Sequence, residues 1–250
     1  MVTSDAVQTL ERDLRDVFGS RLQSLVVYGQ RVDRAQHGAG GHGAHGGHGH
    51  GGPPTRTLAI VESLTSEDLR ACAARVEGWH EAALATPLLI AGHEFEQSLD
   101  AFPFEFGAIL ADHTVVAGEN PFASLSVDPA DLRRACEVQA RSHLLHLREG
   151  YLETRARADA LAVLIVRSAP AFAALVMSIA RLDGHATDDA ASAARHVERM
   201  LAMPDSAIAE AAALAGVHDI TSAHAERLIA PYLDAVARIV GYVDGWTRER

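Results

Sequence analysis

Apolar residues recur at helical spacing in AVQTLERDLRDVF, residues 6–18, and give way to the β-branched run LQSLVVYG, which ends at Gly29. After the Pro53-Pro54 break, TLAIVESL reads as a second strand. Ser66 stands as an N-cap with Glu67 and Asp68 in the first turn, predicting a helix to about Glu81. TPLLIAG reads as a third strand, HEFEQSLDA as a short helix, and FPFEFGAIL as a fourth strand. Helix, strand, strand, helix, strand, helix, strand is the order of a mixed α/β unit.

From Asp128 onward the pattern is helical throughout. Asp128 precedes Pro129, an N-cap followed by proline at the first helical position, and the helix is expected to reach about Thr154. A long apolar helix over 160–180, an amphipathic helix near Asp188 to Met203, a short Ala-rich turn after Pro204 and a last helix from Ser222 to Trp246 complete a bundle. In the last helix Leu228, Tyr232, Leu233, Val236, Ile239, Val240, Val243 and Trp246 share a face, which is core patterning. The expected organisation is an α/β domain over 1–125, carrying an insert at 36–52, and a helical bundle over 126–250.

Composition trims the functions open to such a chain. Its 250 residues carry a net charge of −11, which argues against non-specific nucleic-acid binding, because phosphate contacts need a cationic surface. The apolar stretch ALAVLIVRSAPAFAALVMSIA is long enough for a bilayer but holds Arg167 and Pro170 near its centre. A central Arg costs roughly 2.5–3.5 kcal/mol on insertion, so it reads as a buried bundle helix and no membrane partner is expected. Cys72 and Cys136 belong to no CxxC pair, and the N-terminus has no apolar signal region; both fit a cytoplasmic protein.

The pieces in order resemble the nucleotidyltransferase fold of the polymerase-beta type: a helix, LVVYG, the strand TLAIVESL, FPFEF, and a helical half opening DLRRACEVQARSHLLHLREGYL. The resemblance implies a glycine turn after the first strand that lets backbone approach a nucleotide triphosphate. It also implies two acidic residues, separated by one, at the head of the next strand, and a third on a later strand. These carboxylates hold the divalent ions that clamp the attacking and leaving oxygens of phosphoryl transfer.

In this chain the turn is Tyr28-Gly29-Gln30, so Gly29 and Gln30 are the candidate nucleotide-binding residues. The acidic pair is replaced by Thr55 and Thr57 around Arg56. Magnesium relies on anionic oxygen to offset its loss of water, and a hydroxyl does not supply it. Glu105, between Phe104 and Phe106, keeps the form of the third position; it is either a remnant catalytic ligand or an edge-strand carboxylate. His143 and Arg141 stand where the resemblance would place triphosphate contacts, and surface roles compete with that reading.

Between the turn and the threonine pair lies RVDRAQHGAGGHGAHGGHGHGGPP, whose His37, His42, His45, His48 and His50 are candidate metal ligands. Imidazole suits zinc, nickel, cobalt and copper. The competing reading is a low-complexity spacer. Two functions follow. One is a catalytically inactive nucleotidyltransferase-like protein, a pseudoenzyme, that binds a transition metal through the His-rich loop. The alternative is an active nucleotidyltransferase that passes a nucleoside monophosphate to an acceptor through non-standard metal ligands, with magnesium as cofactor. A nucleotide and a metal ion are the implied partners; no pattern fixes the oligomeric state.

Overall fold

The structure is a computed structural model that describes residues 4–29, 54–187, 189–203 and 206–247. Gln30 and the histidines His37, His42, His45, His48 and His50 lie outside the described residues. The described residues fall into two compact units that meet in sequence at Val127 and Asp128.

The first unit begins with α1 (Asp5–Phe18), whose Val7, Leu10, Leu14 and Phe18 face the core at helical spacing. Ser4 caps it by accepting from the Val7 amide at 3.4 Å. Then come β1 (Leu22–Tyr28) and β2 (Arg56–Val61), followed by α2 (Ser66–Ala73) and α3 (Val76–Glu81). The cap of α2 is Thr65, one residue before the expected Ser66. Thr65 and Asp68 form a reciprocal capping box, and Arg21 grips the Asp68 carboxylate with two bonds of 2.9 and 2.7 Å. The single helix expected to Glu81 is interrupted at Ala74 and Arg75, where the Arg75 amide turns back to the Cys72 carbonyl.

β3 (Leu88–Ala91), α4 (Gly92–Ala101), α5 (Pro103–Ala111) and β4 (His113–Gly118) complete the unit. FPFEFGAIL is therefore helical, which corrects the expected fourth strand. Pro103 takes the first helical position, and the buried Phe106 and Ile109 are three apart while Phe102 is 56% exposed, so alternation fails. The fourth strand is HTVVAG instead.

The sheet order is β3-β2-β1-β4, with β1 antiparallel to both β2 and β4, and β3 parallel to β2. Leu25, Val27, Ala59 and Val61 pack with α1, Cys72 and Trp79. On the other face Val26, Leu58 and Ile60 pack with Phe95, Leu99, Phe106, Ile109 and Phe122. Burial on both faces explains the near-continuous apolar text of β1 and β2.

The second unit is helical: α6 (Pro129–Glu153), α7 (Ala158–Leu182), α8 (Ala190–Met200), α9 (Ala207–Ala213) and α10 (Ser222–Gly245). Asp128 caps α6 at 2.7 Å from the Ala130 amide, Asp189 caps α8, and Thr221 caps α10. The buried Glu198 of α8 accepts from the Ala209 amide at 2.8 Å and so caps α9. By length and composition α7 could cross a membrane; here it packs against α6, α8, α9 and α10, burying Leu161, Ile165, Phe172, Val176 and Ile179.

Candidate functional site

The chain reverses at the end of β1 through Gly29, whose φ of +73° lies in the left-handed region. Its amide donates to the Asp112 carbonyl at 3.0 Å, tying the turn to the start of β4. The space a side chain would take at Gly29 is filled by the guanidinium of Arg56. That group reaches the Gly29 carbonyl at 3.5 Å and lies 5.5 Å from the centre of the Tyr28 ring. Burial pushes the Tyr28 phenol up, and the Arg56 charge partly opposes it. The glycine turn of the resemblance is present, with a cation of the chain's own packed against it.

Thr55 and Thr57 sit at the head of β2. Thr57 pairs with Val27 across the sheet, is 1% exposed, and its hydroxyl has no hydrogen-bond partner among the described residues. Thr55 bridges to Leu84. Glu105 belongs to neither later strand: it lies in the first turn of α5. The strands themselves read LLIA and HTVVAG, with no acidic residue in either. A magnesium pair of the kind the fold implies does not fit this donor set, because hydroxyls and aliphatic side chains occupy the strand positions where carboxylates would hold it. Among the described residues no three His, Cys, Asp or Glu side chains are grouped to hold a metal ion.

Asp112 is a carboxylate that sequence reasoning missed. It is buried just before β4, beside the Gly29 turn, and no motif marks it. His113, opposite Tyr28 in the sheet, bonds through Nδ1 to the carbonyls of Ile109 and Leu110 at 3.2 and 3.1 Å. A carbonyl only accepts, so Nδ1 carries a proton.

The helical unit holds a separate polar cluster. His143 of α6 contacts the Tyr232 hydroxyl of α10 through Nε2 at 2.7 Å, and Ser168 of α7 contacts the same hydroxyl at 3.1 Å. Ser168 also donates to the Ile165 carbonyl at 2.9 Å. With one proton per bond, a single direction satisfies all three: His143 to Tyr232, Tyr232 to Ser168, Ser168 to Ile165. Burial, aided by the nearby His146, pulls the His143 pKa from 6.5 down to about 4, so the ring is neutral. Burial also raises the Tyr232 phenol. His143 and Ser168 line a cavity of about 340 Å³ that Arg167 and His146 share. Arg141 is not part of it; it is exposed and pairs with Asp244 at 2.7 Å and Glu137 at 3.4 Å.

A glycine-turned β1, a parallel β2–β3 pair joined by helices and an all-helical second half describe a nucleotidyltransferase fold with a helical C-terminal region. The chain is similar in structure to spectinomycin adenyltransferase AAD(9) from Enterococcus faecialis, solved with ATP and spectinomycin. The TM-score is 0.54 at 10% sequence identity, over 95% of this chain and 99% of that one. No protein-family model matches the chain, and no curated protein matches it.

Proposed function

We propose that this chain is a nucleotidyltransferase-fold binding protein that transfers no nucleotide and holds a transition metal through its His/Gly segment. The observation that carries the first half is the threonine pair at the head of β2, with Arg56 packed against the Gly29 turn. Losing the carboxylates removes the means of fixing at least one ion, and an ion in that role contributes several kcal/mol to the transition state. The fold neighbour was solved with ATP, which makes a nucleotide the small-molecule partner to try first. Both cysteines are free, which suits a reducing cytoplasm.

The metal half rests on ligand density at His37, His42, His45, His48 and His50. Several imidazoles in one short span raise one another's effective concentration, and ordering the glycines opposes binding. Affinity is expected on the order of micromolar, with copper and nickel above cobalt, because a soft segment imposes little geometry. Only neutral imidazole coordinates, so uptake falls as pH drops through roughly 6.5.

Calorimetry with zinc, nickel, cobalt and copper on the wild type and on a variant with these five histidines changed to alanine tests the metal reading. Equal uptake by both proteins, or none by either, defeats it. A radiolabelled-nucleotide assay tests the catalytic half. Turnover that is lost in Glu105→Gln would establish the alternative, a magnesium-dependent transferase with non-standard ligands.

A further inference from the structure

At the end of the sheet away from Gly29, β1 is irregular on both sides. Its pairing with β2 skips from Leu22↔Val61 to Ser24↔Ile60, and its pairing with β4 jumps from Leu25↔Ala117 to Val26↔Val115. Such bulges re-aim side chains and are common beside functional sites. Here they frame Gln23 and Ser24. Gly118, at φ +78°, lies so close to the Gln23 backbone that any side chain there would collide with it. Ser24 is 3% exposed, and its hydroxyl has no partner among the described residues. A buried hydroxyl without a partner costs about 1–3 kcal/mol, and the fold keeps one at this point.

The same place is the carboxyl end of the parallel pair β2 and β3, where open α/β sheets receive ligands. α4 starts there. Its cap position is Ala91, which offers the first-turn N–H groups no side-chain acceptor. The Gln23 carboxamide oxygen stands 3.0 Å from where a Cβ of Gly92 would be, so any larger residue at 92 would push it away. Together they border a crevice of about 540 Å³, within the range of small-molecule sites.

We infer that this crevice binds a neutral polyhydroxylated ring, a free sugar or the sugar of a nucleoside. Its wall mixes donors and acceptors. Ser124 lines it with a hydroxyl and Gln23 with a carboxamide, and Ser24, whose buried hydroxyl lacks a partner among the described residues, is also part of the lining. Asn120 uses its oxygen to accept from the Phe122 amide at 2.9 Å, which leaves its NH₂ to donate. Glu119 only accepts. Ligand hydroxyls both donate and accept, so they match such a set. No Arg or His lines the crevice and the chain has no Lys, so a phosphate would meet Glu119 with no cation to offset it. Phe95 and Leu125 supply the apolar surface against which the C–H face of a ring can lie. The inference is independent of the reading of the Gly29 end.

Ligand-observed NMR on the full chain, with glucose, ribose, adenosine and a glucose phosphate ester as probes, decides it. Glucose or adenosine should bind with a Kd on the order of millimolar or tighter, and the phosphate ester more weakly than glucose. Gln23→Ala, at an exposed position, should weaken binding about tenfold, and Gly92→Leu should abolish it. Circular dichroism confirms that each variant is folded. Adenosine binding more tightly than ribose, with the same sensitivity to Gln23→Ala, identifies a nucleoside; equal binding identifies a free sugar. The inference fails if no probe binds, if the phosphate ester binds more tightly than glucose, or if folded Gln23→Ala binds like the wild type.

Discussion

Acid should weaken the helical unit through one side chain, His143. In the unfolded chain its imidazole takes a proton near 6.5; in the folded unit it does so only at about 4. Between those values the unfolded state binds more protons, so stability is full above about 6.5 and is lost as pH falls toward about 4. Each pH unit in that window is about 1.4 kcal/mol, which makes about 2 kcal/mol by pH 5 and about 3 kcal/mol once the window is crossed. The ring is partly buried and stacks on Phe172 at 5.5 Å, which limits how far solvent screens the penalty. His143→Gln keeps an N–H for the Tyr232 hydroxyl and cannot titrate. Urea unfolding of both proteins at about pH 7 and about pH 5, followed by circular dichroism, should show the wild type losing about 2 kcal/mol more than the variant. Carboxylates lose their contributions at lower pH and are shared by the two proteins. Parallel losses, within about 0.5 kcal/mol, would refute the neutral assignment of His143.

The α/β unit makes its own predictions. The bidentate Arg21 grip and the Thr65 bonds hold the Asp68 carboxyl well below its usual 3.8, so their stabilisation is present at neutral pH and fades as pH falls below that value. Asp68→Asn should therefore lower the thermal midpoint at pH 7 and have little effect in strong acid; an unchanged midpoint at neutral pH would contradict this. Gly29→Ala meets both a positive φ and the Arg56 guanidinium, and should cost about 1–3 kcal/mol in denaturant titrations. A double-mutant cycle with Arg56→Ser should recover part of that cost, and simple additivity would remove the contact from the account. Cys136 and Cys72 are buried, with the Cys136 thiol pushed up to about 12 and that of Cys72 also raised. Both should label with a thiol reagent at least about a hundredfold more slowly in the folded chain than in denaturant; fast native labelling would show an opening that the packing does not allow.

Local chemistry made much of the fold legible. α1 announces itself through Val7, Leu10, Leu14 and Phe18, and α6 through the Asp128-Pro129 pair. The helical half was legible for the same reason, since capping and 3.6-residue periodicity act within a few residues. The failures came where tertiary context chose between patterns. FPFEF alternates like a strand, yet Pro103 at a helix start and burial every third residue make it α5. HTVVAG carries no strand signature, because an edge strand half-buried along most of its length shows no clean alternation. The break between α2 and α3 carries neither Gly nor Pro to mark it.

The candidate sites were legible only where a single residue reports its own backbone. Gly29 is such a residue, because its positive φ is a local demand. The His143–Tyr232 bond spans 89 residues of sequence and the Ser168–Tyr232 bond 64, distances at which no periodicity speaks. Arg56 folding back onto Gly29 is likewise a tertiary event. Thr57 is the instructive case, because its strand position was read correctly while the burial of its hydroxyl could not be. A carboxylate there would be an anion at a site 1% exposed, costing several kcal/mol unless a metal or a guanidinium opposed it. A threonine hydroxyl without a partner costs about 1–3 kcal/mol and needs no counter-ion. The register Val27↔Thr57 and the Gly29 turn can thus stand without any divalent cation at the head of β2.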